Sequence, residues 1–146
     1  MLQAVSPGAV PPPEIAHERP WLPPMPSLGE LRRVLALNQT QRQNGVAATI
    51  LSLEDYQQGA ILHGLTRPGQ PPDHPPLMPR RVEAADELGA HYVCSLRPSF
   101  FDADSFHFSL RLEPALSPEA HSLRLEFDTR DVTDTAPRHW VFELPL

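Results

Sequence analysis

From Leu31 to Leu144 the chain reads as short runs in which apolar and polar residues alternate. The cleanest run is Ser105–Glu113. There Phe106, Phe108, Leu110 and Leu112 share one side, and Ser105, His107, Ser109, Arg111 and Glu113 share the other. A period of two is the signature of a strand with one buried face and one wet face. Ser122–Asp128 repeats the pattern with Leu123, Leu125 and Phe127, and Arg138–Leu144 repeats it with Trp140, Phe142 and Leu144. Less regular strands are expected at Leu31–Leu37, Val46–Leu53, Ala60–Thr66, Arg81–Ala85 and Ala90–Leu96. Asn44-Gly45 and Asp86-Glu87-Leu88-Gly89 supply turn signals between them. A helical stripe of ten residues or more is not found. Leu116–His121 could form one helical turn, with Ser117 as cap and Pro118 in the first position.

Strands without intervening helices argue for an antiparallel sheet. About seven or eight of them in one domain make an all-β, antiparallel β-sandwich the expected architecture, with a barrel as the second choice. Phe108 is an expected core residue. Proline is concentrated outside the strands. Eight of the 19 prolines lie in the first 26 residues and six more lie between Pro68 and Pro79. Each fixes φ and removes a donor, so an extended segment is expected at 1–29 and a β-domain at 30–146. The stretch from Pro68 to Pro79 fits a long crossover.

Composition narrows the chemistry. There are 12 basic residues, all arginine, against 18 acids, a net charge of −6. Without lysine there is no P-loop lysine, no Schiff base and no Ser-Lys pair. Residues 99–146 hold nine acids and four arginines, so most of the acidity lies there. Such a chain is a poor general ligand for nucleic acid. The single cysteine, Cys94, excludes an intrachain disulfide and a multi-cysteine zinc site. No apolar run is long enough for a helical membrane span. The start lacks a basic region and prolines break every apolar run in it, so a cytoplasmic location is expected.

Leu37–Gly59 carries a resemblance. With Asn44-Gly45-Val46, Glu54, Tyr56 and Gly59 in place, it is similar to the opening of bacterial immunoglobulin-like β-sandwich modules of unknown function. Asp86-Glu87-Leu88-Gly89 and the closing Trp140-Val141-Phe142-Glu143-Leu144-Pro145-Leu146 are also similar, so the likeness spans residues 31–146. It implies an immunoglobulin-like sandwich and no catalytic residues. Such modules occur in lipoproteins and the outer parts of anti-sigma proteins, and are usually exported.

Candidate sites are few. The seven histidines (His17, His63, His74, His91, His107, His121 and His139) show no HxH or HExxH spacing. The acids of Asp102–Ser105 and Asp128–Asp134 lack the pattern of a calcium loop. No Gly-x-Ser-x-Gly elbow is present, and chain order alone assembles no Ser-His-acid triad. Cys94 reads as a buried, inert thiol. Asn38-Gln39-Thr40 matches a glycosylation sequon that matters only in a secreted eukaryotic protein. The best partner-binding candidates are Arg19, Trp21 and Leu22 in the stiff proline-rich segment, a form suited to docking a protein partner or the domain itself. The second candidate is a sheet edge used for self-association or partner pairing, with Arg32-Arg33 and Arg80-Arg81 as its guards. The expectation is a non-enzymatic interaction or structural module with no cofactor or metal. An accessory subunit of an envelope or secretion assembly is the alternative, and a small hydrolase or metal-dependent enzyme comes third.

Overall fold

A computed structural model describes residues 27–68, 77–130 and 136–146. Arg19, Trp21 and Leu22, and most of the crossover after Pro68, lie outside them. The described residues form eight strands: β1 (Leu31–Gln43), β2 (Val46–Tyr56), β3 (Gly59–Arg67), β4 (Arg80–Asp86), β5 (His91–Asp102), β6 (Ser105–Glu113), β7 (Ser122–Thr129) and β8 (Arg138–Pro145). They make one antiparallel sheet in the order β1-β2-β3-β6-β5-β4-β7-β8, curled nearly into a barrel. The fold is therefore all-β, with the expected number of strands. In place of two separate sheets, five strands and three are joined where Ala84 and Ala85 of β4 pair with Tyr92 and His91 of β5.

The alternation does what it promised. Phe106, Phe108, Leu110 and Leu112 of β6, Leu123, Leu125 and Phe127 of β7, and Trp140, Phe142 and Leu144 of β8 are all buried in one core. Phe127 lies at its centre, edge-on to Phe108 and stacked with Trp140 and Phe142. The indole N–H of Trp140 donates to Thr129 Oγ1 at 2.9 Å, so the largest core side chain leaves no polar atom unpaired. Leu28 is also buried and its carbonyl accepts from Gln58 N, so packing on the β-domain begins before residue 30.

Three local expectations need correction. β1 runs past Leu37 to Gln43, although Asn38–Gln43 is wholly polar. The reason is a side-chain ladder: the amides of Gln39, Gln41 and Gln43 donate to the main-chain carbonyls of Glu143, Val141 and His139 at 3.2, 2.5 and 2.7 Å. These three bonds bring β1 to β8 at the last seam of the barrel. β5 likewise extends beyond Leu96 to Asp102. Ser117–Ala120 forms an isolated turn, closed by Ala120 N on Ser117 O, with no helix.

The sheet curves because bulges are aligned across it. β1 has an irregularity between Ala36 and Gln39, β2 between Ile50 and Ser52, and β5 between Arg97 and Phe100. Through the pairs Gly64–Phe108 and His63–Ser109 these bulges lie on one line across five strands. Bulges bend a sheet, and the extra residue in β2 reverses its parity, so Ile50 and Leu53 both point inward. Gly64 sits on the line, where a Cβ would meet Phe108 Cζ at 2.5 Å and Thr49 O at 2.8 Å. Only glycine lets the Phe108 ring lie there.

Candidate functional site

The bulge line opens a dent of about 220 Å³ on the outer face, lined by Leu51, His63, Gly64, Phe100, His107, Phe108 and Ser109. The parity change in β2 turns Glu54 and Tyr56 outward beside it. In register across the sheet run Ser52, His63, Ser109 and Arg97, one from each of β2, β3, β6 and β5. Ser109 Oγ lies 2.9 Å from His63 Nδ1. On the other side of the ring, Glu54 Oε2 is 3.3 Å from His63 Nε2. That approach is off the N–H axis, so Nε2 is sealed from solvent without a hydrogen bond. Glu54 is held in turn by Tyr56, whose hydroxyl donates to Oε1 at 2.9 Å. This bond raises the Tyr56 pKa, and burial adds to it. Phe100 lies flat on His107, centroids 4.6 Å apart, and forms one wall.

A second feature adjoins the dent. After Tyr92, β4 and β5 part. Among the described residues, β5 pairs from Val93 to Asp102 with β6 alone, and Arg80–Glu83 of β4 pairs with β7 alone. Arg81 has φ +53° and lies in an irregularity between Arg80 and Glu83, which turns β4 away. The slot carries apolar residues on both faces. Val93 and Phe100 look outward at 71% and 61% exposure; Leu96 and Phe101 look inward yet stay 40% and 47% exposed. An unpaired strand with exposed apolar residues is a template for another strand.

The join beside the slot is clamped. Asp86, buried, accepts from Leu88 N and Ala90 N on Oδ1 and from the Tyr92 hydroxyl on Oδ2 at 2.7 Å. The Tyr92 bond and the two amides hold the Asp86 pKa below the usual carboxylate range against burial. Burial and Asp86 together push Tyr92 up to about 12.

The other sequence candidates disperse. Arg32 and Arg33 lie on β1, an end strand of the sheet, and both bind the buried Asp55, at 3.1 and 2.9 Å. Their charge is committed to a carboxylate that would otherwise be buried unpaired. Arg81 reaches to 4.0 Å from Asp128 and Arg80 is exposed, both on the strand that borders the slot. His107 and His139 face away from the core as expected, His139 between Asp128 and Glu126 at 2.7 and 3.1 Å. Among the described residues no three His, Cys, Asp or Glu side chains gather as metal ligands. Cys94 is half-buried, and burial pushes its thiol up to about 11. Sequence reasoning did not bring Ser109, His63 and Glu54 together, because they meet through register and a parity change at Leu51. No protein-family model, curated protein or solved structure matches the chain. No helix among the described residues is long and apolar enough to cross a membrane.

Proposed function

We propose that the chain is a protein-interaction module that takes up an extended segment of a partner along β5. The observation that carries this reading is the edge of β5 from Val93 to Asp102 that no strand among the described residues pairs, with Val93, Leu96, Phe100 and Phe101 exposed on its two faces. Strand addition gains main-chain hydrogen bonds along such an edge, and side chains at alternate positions supply selectivity. Arg80 and Arg81 on β4 and Arg97 on β5, against Glu83, favour a partner segment that alternates apolar with acidic residues. A bacterial immunoglobulin-like origin and a cytoplasmic location belong to the same proposal. The division into five strands and three, joined by two residue pairs, supports an immunoglobulin-like layering.

Peptides selected from a random extended library on the full chain test the reading. Bound peptide should shift the amide resonances of Val93–Asp102 above all others, and Val93→Asp with Phe100→Asp should abolish binding while the melting point is kept. Peptides that bind elsewhere, or binding untouched by the double variant, would overturn it. Light scattering over a wide concentration range distinguishes a second copy as the occupant; a dimer that the same double variant dissolves would replace the foreign partner with another copy of this chain.

A further inference from the structure

We propose that the dent on the outer face is an acyl-transfer centre in which Ser109 is the nucleophile, acting on small esters with a short apolar acyl group. This goes beyond the docking reading, does not depend on it, and departs from the expectation of a chain without catalysis. A serine hydroxyl becomes a useful nucleophile only with a base in hydrogen-bond reach, a group orienting that base, and a place for the acyl carbon. The base and the acyl site are in place, and the group that would orient the base stands at ion-pair distance. His63 Nδ1 is 2.9 Å from Ser109 Oγ. Glu54 stands 3.3 Å from His63 Nε2 and is itself fixed by Tyr56. The dent beside Ser109 is walled by Leu51, Phe100 and Phe108 and floored by Gly64.

The unbonded Nε2 is the most informative atom. A polar nitrogen sealed from water without a partner is costly in a resting protein and calls for an explanation. With neutral His63 the Glu54 carboxylate sits off axis and gains little. When His63 takes the serine proton, the ring becomes cationic and faces that carboxylate at ion-pair distance. The interaction therefore strengthens as the reaction proceeds, and this is the condition for it to lower a barrier rather than merely bind substrate. Arg97 is the register neighbour of Ser109 on the side opposite His63, and the oxyanion is assigned to it on that strand position.

The steps balance without an added reagent. Ser109 Oγ attacks the ester carbonyl carbon as its proton passes to His63 Nδ1, and the carbonyl π pair moves onto oxygen beside Arg97. Collapse of this intermediate breaks the bond to the alcohol oxygen, which leaves with the proton from His63. Water then adds to the acyl-serine, giving its proton to His63. The acyl–Oγ bond breaks, a carboxylic acid leaves and Ser109 regains its hydrogen.

The test is labelling of the purified full chain by a fluorophosphonate, read by intact mass and peptide mapping, beside hydrolysis of p-nitrophenyl acetate and butyrate. One phosphonyl group on Ser109 and saturable hydrolysis are expected. Ser109→Ala should lose both at an unchanged melting point, and His63→Gln should lower kcat by about 10²-fold or more. Arg97→Gln should lower kcat by about 10²-fold with KM nearly kept. Glu54→Gln, which removes a positioning residue, should also move the pH–rate profile, an effect that loss of packing alone would not produce. A folded wild type that takes no label, or equal labelling of Ser109→Ala, would overturn the assignment. Neither outcome bears on strand docking at β5.

Discussion

Tyr92→Phe removes one oxygen from the clamp that joins the two parts of the sheet, and its cost can be worked from the geometry. The lost bond is short, 2.7 Å, buried, and made to an ionised carboxylate. Hydrogen bonds to charged groups contribute about 1.5–3 kcal/mol, against about 1 for neutral pairs. At about 2–4 °C per kcal/mol for a chain of this size, the melting point should fall by roughly 3–12 °C. Asp86→Ala removes that bond and those to Leu88 N and Ala90 N, and should cost about 3–5 kcal/mol. The double variant should cost little more than Asp86→Ala alone, because Tyr92 no longer has the carboxylate to bind. Urea unfolding followed by the fluorescence of the buried Trp140 gives all four corners of the cycle. The sign with pH follows from Asp86. Its folded pKa is lowered, so the stabilisation is complete above the unfolded carboxylate range and is lost as pH falls through the folded value. Tyr92 acts at the other end: its folded value near 12 exceeds the unfolded 10, so its share persists below 10 and disappears as pH rises through 12. Additivity of the two single variants within about 0.5 kcal/mol at pH 7 would refute the clamp.

Gln41→Leu removes the central rung of the β1–β8 ladder and leaves the Val141 carbonyl without it; a loss of about 1–3 kcal/mol and faster amide exchange at both strand edges are expected. Cys94, its thiol held near 11 by burial, should react with iodoacetamide at pH 8 far more slowly in the folded chain than in urea, and equal rates would contradict its half-buried place. His139 has a raised pKa, first from Asp128 and then from Glu126, so its contribution is present below the unfolded value and lost as pH rises through the folded one; the melting-point gap between wild type and His139→Gln should be wider at pH 5.5 than at pH 8.5.

What the sequence revealed tracks what is local. The strands β6, β7 and β8 were legible because alternation over eight or nine residues records a buried face directly. The Asn44-Gly45 turn was legible because both residues adopt positive φ, which these two residue types tolerate best. The far half of β1 was not legible, since Gln39, Gln41 and Gln43 satisfy carbonyls a hundred residues away and carry no apolar signal. The roles of Arg32 and Arg33 were hidden for the same reason: Asp55 is buried only because β2 pairs with β1. The dent demanded the most non-local information. Glu54 faces outward only because Leu51 is an extra residue, and Ser109 meets His63 only because β3 pairs with β6 rather than β4.

The barrel is completed by two unlike joins, and their chemistry decides which one yields first. At β1–β8 the bonds run from uncharged amides to main-chain carbonyls, so they do not change between pH 3 and pH 9. At β4–β5 only two residue pairs hold the strands, and the bonds of the clamp converge on a carboxylate. Acid therefore acts on one side only. As Asp86 takes a proton, its bond with Tyr92 loses the assistance of charge and the amides of Leu88 and Ala90 face a weaker acceptor. The slot beside Val93 lengthens from this end, since Ala84 and Ala85 are the last pairs before it. If a partner strand occupies the slot, acid below the usual carboxylate range should expose more of β5 to it before the chain unfolds. Amide exchange measured stepwise from neutral to acid pH should then rise at Ala84, Ala85 and Tyr92 ahead of Gln39–Gln43. Loss of protection at the glutamine seam first would show that the two joins are ranked the other way.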